Sequence, residues 1–159
     1  MSAISQAPGA HGLLVIFAVE EQRFGLDISA VERVIRAVEV TQLPDAPPGV
    51  IGILNLQGRV IPVFDLRLRF HIPVREMQLT DHLLIARASG RPIALLVDAV
   101  IGVTEWNPAM VVPGAEILPG FDALAGVVKL DGGIALIHDP DKFLSLEEAS
   151  QLDAAIATQ

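Results

Sequence analysis

The chain has 159 residues and a mass of 16.9 kDa, enough for one domain or two very small lobes sharing a core; folding at this size buries roughly 70% of the surface that the unfolded chain exposes. There is no cysteine, which excludes disulfides, Cys-ligated zinc and thiol catalysis, and a net charge of -8 works against a nucleic-acid partner, which requires clustered Lys and Arg. With 52% apolar residues, one Trp and no Tyr, the core must be built from Val, Ile, Leu and Ala.

Residues 1–12, MSAISQAPGAHG, contain neither a basic segment nor a continuous apolar stretch, and read as a mobile lead-in rather than a signal peptide. Later apolar runs stop too soon to span a bilayer: GLLVIFAV meets Glu20 and IALLV meets Asp98. A soluble, cytoplasmic protein is expected. Short runs of Val, Ile and Leu punctuated by Gly, Pro and charge predict strands near Leu13 to Val19, Arg23 to Ile28, Arg33 to Val40, Val50 to Leu56 and Arg59 to Phe64. A second series falls near His82 to Ala88, Arg91 to Val97, Ile101 to Trp106, Ala123 to Leu130 and Gly133 to Ile137. Two proline-rich stretches, Leu43 to Gly49 and Asn107 to Gly120, are expected to be irregular. Ser145 and Glu148 have capping-box spacing, so a helix is predicted from about Leu146 to Ala155, burying Leu146, Ala149, Leu152 and Ile156.

The two series match in order. LLVIFA (Leu13 to Ala18) resembles LLIARA (Leu83 to Ala88), and AVERV (Ala30 to Val34) resembles AVIGV (Ala99 to Val103). GILNLQGRVIPVFD (Gly52 to Asp65) lies without gaps on GVVKLDGGIALIHD (Gly126 to Asp139), and matched segments are roughly 70 residues apart. Hence the expectation of one domain over 13–145, divided into lobe 1 (about 13–70) and lobe 2 (about 81–140), then a helix and tail over 146–159. Each lobe has the strand content of a small barrel. Runs such as VIGIL and IALLV, apolar on both faces, fit strands between a barrel interior and the other lobe.

Catalytic chemistry is scarce. Ser29 and Ser89 lack a nucleophile-elbow frame and read as turn residues. No two of His11, His71, His82 and His138 have helical metal-site spacing. The nearest cluster, His138, Asp139 and Asp141 with His82, reads as a strand end and an Asp-Pro turn; its rival reading is a small metal- or ligand-binding double barrel. DGG at Asp131 to Gly133 is a hairpin turn rather than a phosphate cradle. Pro62 has no N–H to donate, so its strand needs an edge, a bulge or the end of a seam there. What remains is surface: the groove between two aliphatic barrels is a protein-binding candidate.

The stretch GILNLQGRVIPVFDLRLRF resembles the G-V-x-N-L-R-G-x-x-x-P-V-x-D-L-R segment of CheW-type chemotaxis coupling proteins. FGLDISAVERVI, VTQLPDAPPGVIG and IALLVDAVIGV resemble further segments of that family in the same order, from Leu13 to about Phe143. The resemblance implies an all-β fold of two five-stranded SH3-like barrels packed side by side on a shared hydrophobic core, with a short C-terminal helix. It implies a non-enzymatic adaptor without cofactor or metal. One surface would meet the regulatory domain of a histidine autokinase, and the inter-barrel groove the cytoplasmic tip of a methyl-accepting receptor. An adaptor for another kinase pathway, governing surface motility or development, is the alternative. The contact positions carried over are Val31, Arg33, Gly52, Asn55, Leu56, Gln57 and Gly58, and Arg59 joins them as a partner-binding candidate on the hairpin edge that the second repeat does not share. Where the family has Glu in V-x-E-I this chain has Arg33, and where it has Arg in N-L-R-G it has Gln57. These two are expected to face each other and share a hydrogen bond, with Arg59 as the alternative source of positive charge.

Overall fold

The computed structural model describes residues 12–117, 119, 124–130, 133–142 and 146–157. The lead-in before Gly12, the Asp131-Gly132 turn and the capping Ser145 lie outside the described residues. The strands are β1 (Gly12–Val19), β2 (Gln22–Asp27), β3 (Val31–Arg36), β4 (Val50–Leu56), β5 (Arg59–Asp65), β6 (His82–Ala88) and β7 (Arg91–Val97). After them come β8 (Ala99–Trp106), β9 (Val111–Pro113), β10 (Leu124–Leu130) and β11 (Gly133–His138). Helices are short: α1 (Leu66–Arg69), α2 (Gly114–Ile117) and α3 (Leu146–Ala157).

Two departures from the expected elements have local causes. β3 stops at Arg36 rather than Val40, because Ala37 N donates to Asp81 O and the chain then turns so that Thr41 bridges Ile53 on β4. The second proline-rich stretch is not wholly irregular: after the turn at Asn107, Val111 and Val112 pair with β10 as β9, ending at Pro113. These two features are equivalent, and each closes a barrel. In the five-stranded sheet, ordered β3-β6-β7-β5-β4, the continuation of β3 reaches the far edge through Thr41; in the six-stranded sheet, ordered β8-β1-β2-β11-β10-β9, the continuation of β8 does so as β9. β8 and β9 are therefore the two arms of one bent strand, and the extra strand of that sheet follows.

Pairing confirms the repeat and corrects its register. Ladder shifts fall between Val50 and Gly52 in one barrel and between Leu124 and Gly126 in the other, opposite Phe64 and His138. Val31↔Ala86 with Arg33↔Ile85 has its counterpart in Val100↔Phe17 with Gly102↔Ile16. Leu14 therefore corresponds to Leu83 and Ile16 to Ile85, so LLVIFA on LLIARA is one residue out of step. Burial agrees: Leu14 to Phe17 and Leu83 to Ala86 are both unbroken buried runs.

The lobes at 13–70 and 81–140 are not the barrels. β3, β4 and β5 close with β6 and β7, whereas β1 and β2 close with β8 to β11. Each half thus gives its first two strands to the other half's barrel. The parallel pairings of β5 with β7 and β11 with β2 are the seams of this exchange. Pro62 lies at one seam: the β5–β7 ladder starts at Val63, while the β11–β2 ladder includes Leu136, the residue equivalent to Pro62.

Four apolar clusters follow among the described residues. Leu83, Ile85, Ala94 and Leu96 point with Leu54, Ile61 and Val63 into the five-stranded barrel, and Leu14, Ile16 and Trp106 with Val128, Ala135 and Ile137 into the six-stranded one. Alternate residues on the same strands, Val15, Phe17 and Val19 with Leu84, Ala86 and Ala88, join Phe24, Leu26, Ile93, Leu95 and Val97 between the barrels. IALLV behaves as expected, but the outer face of VIGIL is covered differently: Val50 and Ile53 pack with Leu43 against Leu152, Ala155 and Ile156 of α3. Ala155, absent from the predicted stripe, is buried, Ala149 is half-buried, and the side chain of Leu146 lies outside the described residues.

Candidate functional site

At the tip of β4–β5, Leu56 pairs with Arg59 across a two-residue turn in which Gln57 (φ 53°) and Gly58 (φ 81°) are both left-handed, the geometry of a type I′ hairpin. Asn55 Oδ1 accepts from Gly58 N at 2.9 Å and fastens the tip. Gly52 sits lower on β4, where a Cβ would lie 2.4 Å from Thr41 O and 2.5 Å from Val40 Cγ1. Of the predicted contact positions, Gly52 therefore serves barrel closure, whereas Asn55, Gln57 and Gly58 are exposed at the tip.

Arg33 and Gln57 do not form the expected pair; neither side chain has a hydrogen-bond or ion-pair partner among the described residues. The acid–base contact is made one residue earlier on β3 and two residues later on the hairpin. Glu32, the extra residue in the ladder shift between Val31 and Arg33, receives Arg59 as a fork, with Nη2 to Oε1 at 3.1 Å and Nη1 to Oε2 at 3.4 Å. Arg87 Nη1 approaches Glu32 Oε2 at 3.8 Å. The physical reason lies in the two irregularities: the shift frees Glu32 from the ladder, and the turn carries Gln57 out to the tip while Arg59 stays on the strand.

Val31 has a different environment. Residues paired across an antiparallel ladder share a face, so Val31 and Val34, opposite Ala86 and Leu84, lie on the shared-core face of β3; Val100 and Val103, opposite Phe17 and Val15, lie on that of β8. Val31 and Val100 pack against the shared core, but Val34 is 38% and Val103 56% exposed. Both strands are sheet edges, so these valines extend an apolar surface past the point where the barrels cover it. Beside Val103, an open cleft of about 300 Å³ is lined by Ile16, Arg23, Ile101 and Leu130.

Sequence reasoning missed a group of charges between the barrels. Asp65 caps α1, its Oδ1 accepting from Arg67 N at 2.9 Å. The Arg67 guanidinium, 1% exposed, donates to Glu20 Oε1 at 2.7 Å in the β1–β2 turn and to Asp98 at 3.0 and 3.1 Å after β7. Arg75 grips Asp81 through two bonds of 2.7 and 2.9 Å and Asp98 at 2.7 Å. Burial pushes the Asp65 carboxyl above its usual value despite the Arg67 N–H bond and the nearby guanidinium charges. Burial acts the same way on Asp81, but bonds from Arg75 and Gln78 N outweigh it and the carboxyl ends below its usual value. The signal in the sequence was the D-L-R of the motif. Its copy in the second repeat is weaker: Asp139 accepts from Asp141 N, and Asp141 Oδ1 accepts from Ser89 N at 2.8 Å.

No catalytic or metal constellation assembles among the described residues. Ser29 Oγ donates to Asp27, Ser89 lies in a tight turn, and Asp139 and Asp141 spend carboxylate oxygens on backbone N–H groups. His82 belongs to the five-stranded barrel and His138 to the six-stranded one; no group of three His, Asp or Glu converges among the described residues. No helix there is long and apolar enough to cross a membrane.

Comparison with known proteins adds the following. The family model described as CheW-like domain matches residues 13–148. The chain is 28% identical over 137 residues to "Chemotaxis protein CheW" of Rhizobium meliloti, covering 85% of this chain and 88% of that protein. It is 34% identical over 131 residues to "Protein FrzA" of Myxococcus xanthus, covering 77% of each. Its structure is similar to the crystal structure of the scaffolding protein TtCheW from Thermoanaerobacter tengcongensis, with a TM-score of 0.77 and 28% identity, over 90% of this chain and 92% of that one.

Proposed function

The chain belongs to the CheW-like domain family, and from that membership we infer a chemotaxis coupling adaptor that works by holding protein partners rather than by catalysis. Its partners are the cytoplasmic tip of a methyl-accepting receptor and the regulatory domain of a histidine autokinase. The observation that carries this reading is the exposure of Val34 and Val103 on the shared-core face of two edge strands, an apolar strip suited to an elongated helical partner. The Asn55 to Arg59 tip with Glu32 is a separate, polar surface at the end of the five-stranded barrel and suits the kinase. Coupling then requires only that joint binding favour one arrangement of receptor and kinase by about 1–3 kcal/mol.

The test is reconstitution with purified receptor tip and kinase regulatory domain. Val34→Glu with Val103→Glu should lose the receptor and keep the kinase; Asn55→Ala with Arg59→Ala should weaken the kinase and keep the receptor. Equal loss of both partners by either variant, or no binding by the parent chain, would sink the assignment. The similarity to FrzA favours one further reading, the same adaptor chemistry serving a kinase with another output, which binding to that kinase in preference to a chemotaxis kinase would reveal.

A further inference from the structure

Because the barrels repeat one backbone, each surface of one has a counterpart that shows what the fold by itself demands. On β3, Glu32, Arg33 and Arg36 correspond to Ile101, Gly102 and Glu105 on β8. Arg59 corresponds to Gly133 at the start of β11, and Arg87 to Ala18 on β1. At one end of the five-stranded barrel Arg33, Arg59 and Arg87 therefore stand where the copy has Gly102, Gly133 and Ala18, in a chain whose net charge is -8; the copy's cations there are Arg23 and Lys129, where this barrel has Pro92 and Asn55, and Arg36, opposite His82, lies toward the other end of β6. Folding does not require them, since the same backbone forms without them.

Their internal contacts do not account for them either. Among the described residues Glu32 is the only carboxylate on these strands that engages them, at 3.1 Å from Arg59 and 3.8 Å from Arg87. Arg33 is exposed and has no side-chain partner among the described residues, and Arg87, exposed on the same face, otherwise donates to Gly90 O at 3.2 Å. We propose that this end of the five-stranded barrel is a cationic docking face for an acidic protein surface, whose carboxylates pair with Arg33 and Arg87 while Glu32 holds Arg59 in place. Guanidinium suits such a surface because its planar fork matches a carboxylate bidentately. Opposite charge across the rim of an interface raises the association rate and rejects partners that present cations there.

The proposal deepens the kinase-facing reading and rests on it. The experiment measures binding of the purified cognate kinase regulatory domain to the parent chain, to Arg33→Glu and to Arg33→Ala, at about 0.05 M and 0.3 M salt. Arg33 lies on the opposite face of β3 from Val34 and holds no internal bond among the described residues, so both variants should fold, and unchanged binding of the receptor tip verifies it. The parent's affinity is expected to fall about tenfold with salt, and Arg33→Glu to bind about tenfold more weakly at low salt with less salt dependence. Arg33→Ala should lie between. A salt-independent parent, or an Arg33→Glu variant equal to it, overturns the cationic face while leaving the kinase assignment standing. No binding of the kinase domain by the parent at either salt overturns both.

Discussion

Replacing Arg67 by Met tests whether the charges between the barrels stabilise their docking. The side chain is 1% exposed and bridges Glu20 in one barrel to Asp98 at the end of β7 in the other. Removing one member of a buried ion pair costs about 3–5 kcal/mol when the remaining charge is stranded. Here the stranding is partial: Glu20 is 51% exposed, and Asp98 keeps Arg75 at 2.7 Å. A loss of about 2–3 kcal/mol is therefore expected, equivalent to roughly 4–12 °C in Tm for a chain of this size. Arg67→Lys should recover only part of it, since one ammonium cannot replace a fork shared between two carboxylates. At the equivalent contact, Ser89→Gly removes the Oγ bond to Asp141 O but relieves a left-handed residue with φ 51°, so stability should stay within about 0.5 kcal/mol. Differential scanning calorimetry decides. A shift below about 1 °C for Arg67→Met, or full recovery by Lys, would refute the reasoning.

Gly52→Ala drives a Cβ into Thr41 O and Val40, so it should cost roughly 3 kcal/mol in urea unfolding and expose the Thr41 and Ile53 amides to hydrogen exchange; a cost under about 1 kcal/mol would show that closure tolerates the atom. Gln57→Asn suits the first left-handed position of a type I′ turn and should stabilise by about 0.5 kcal/mol, a gain that a lower Tm would contradict. Acid titration should separate Asp81 from Asp65. The folded pKa of Asp81 is lowered, so its stabilisation is present above the unfolded value near pH 4 and lost as pH falls through the folded one; Asp81→Asn should flatten that acid loss. The folded pKa of Asp65 is raised, so its contribution is full below about pH 4 and lost as pH rises through the folded value. Asp65→Asn, which keeps the oxygen that caps α1, should therefore gain on the parent chain as pH rises; parallel curves for all three proteins would refute both assignments.

Strand positions, the two-barrel class and the terminal helix were legible in the sequence, because period-2 burial, Gly and Pro punctuation and the spacing of apolar residues act over a few neighbours. β4, β6 and β7 have the predicted bounds. The repeat was visible as well, since equivalent backbones impose equivalent Gly, Leu and Asp positions, as Gly52 and Gly126 show at their matching ladder shifts. Which strands close with which was decided only in three dimensions. β1 with β2, and β6 with β7, are interchangeable hairpins to local forces, and burial between the barrels selects the exchange. Tertiary structure likewise chose Glu32 over Arg33 as the partner of the hairpin's cation, because one extra residue in a ladder changes which side chain faces it. It also turned Arg67, an ordinary motif residue along the chain, into a buried bridge: its two carboxylates, Glu20 and Asp98, are distant in sequence and meet only when both barrels are complete.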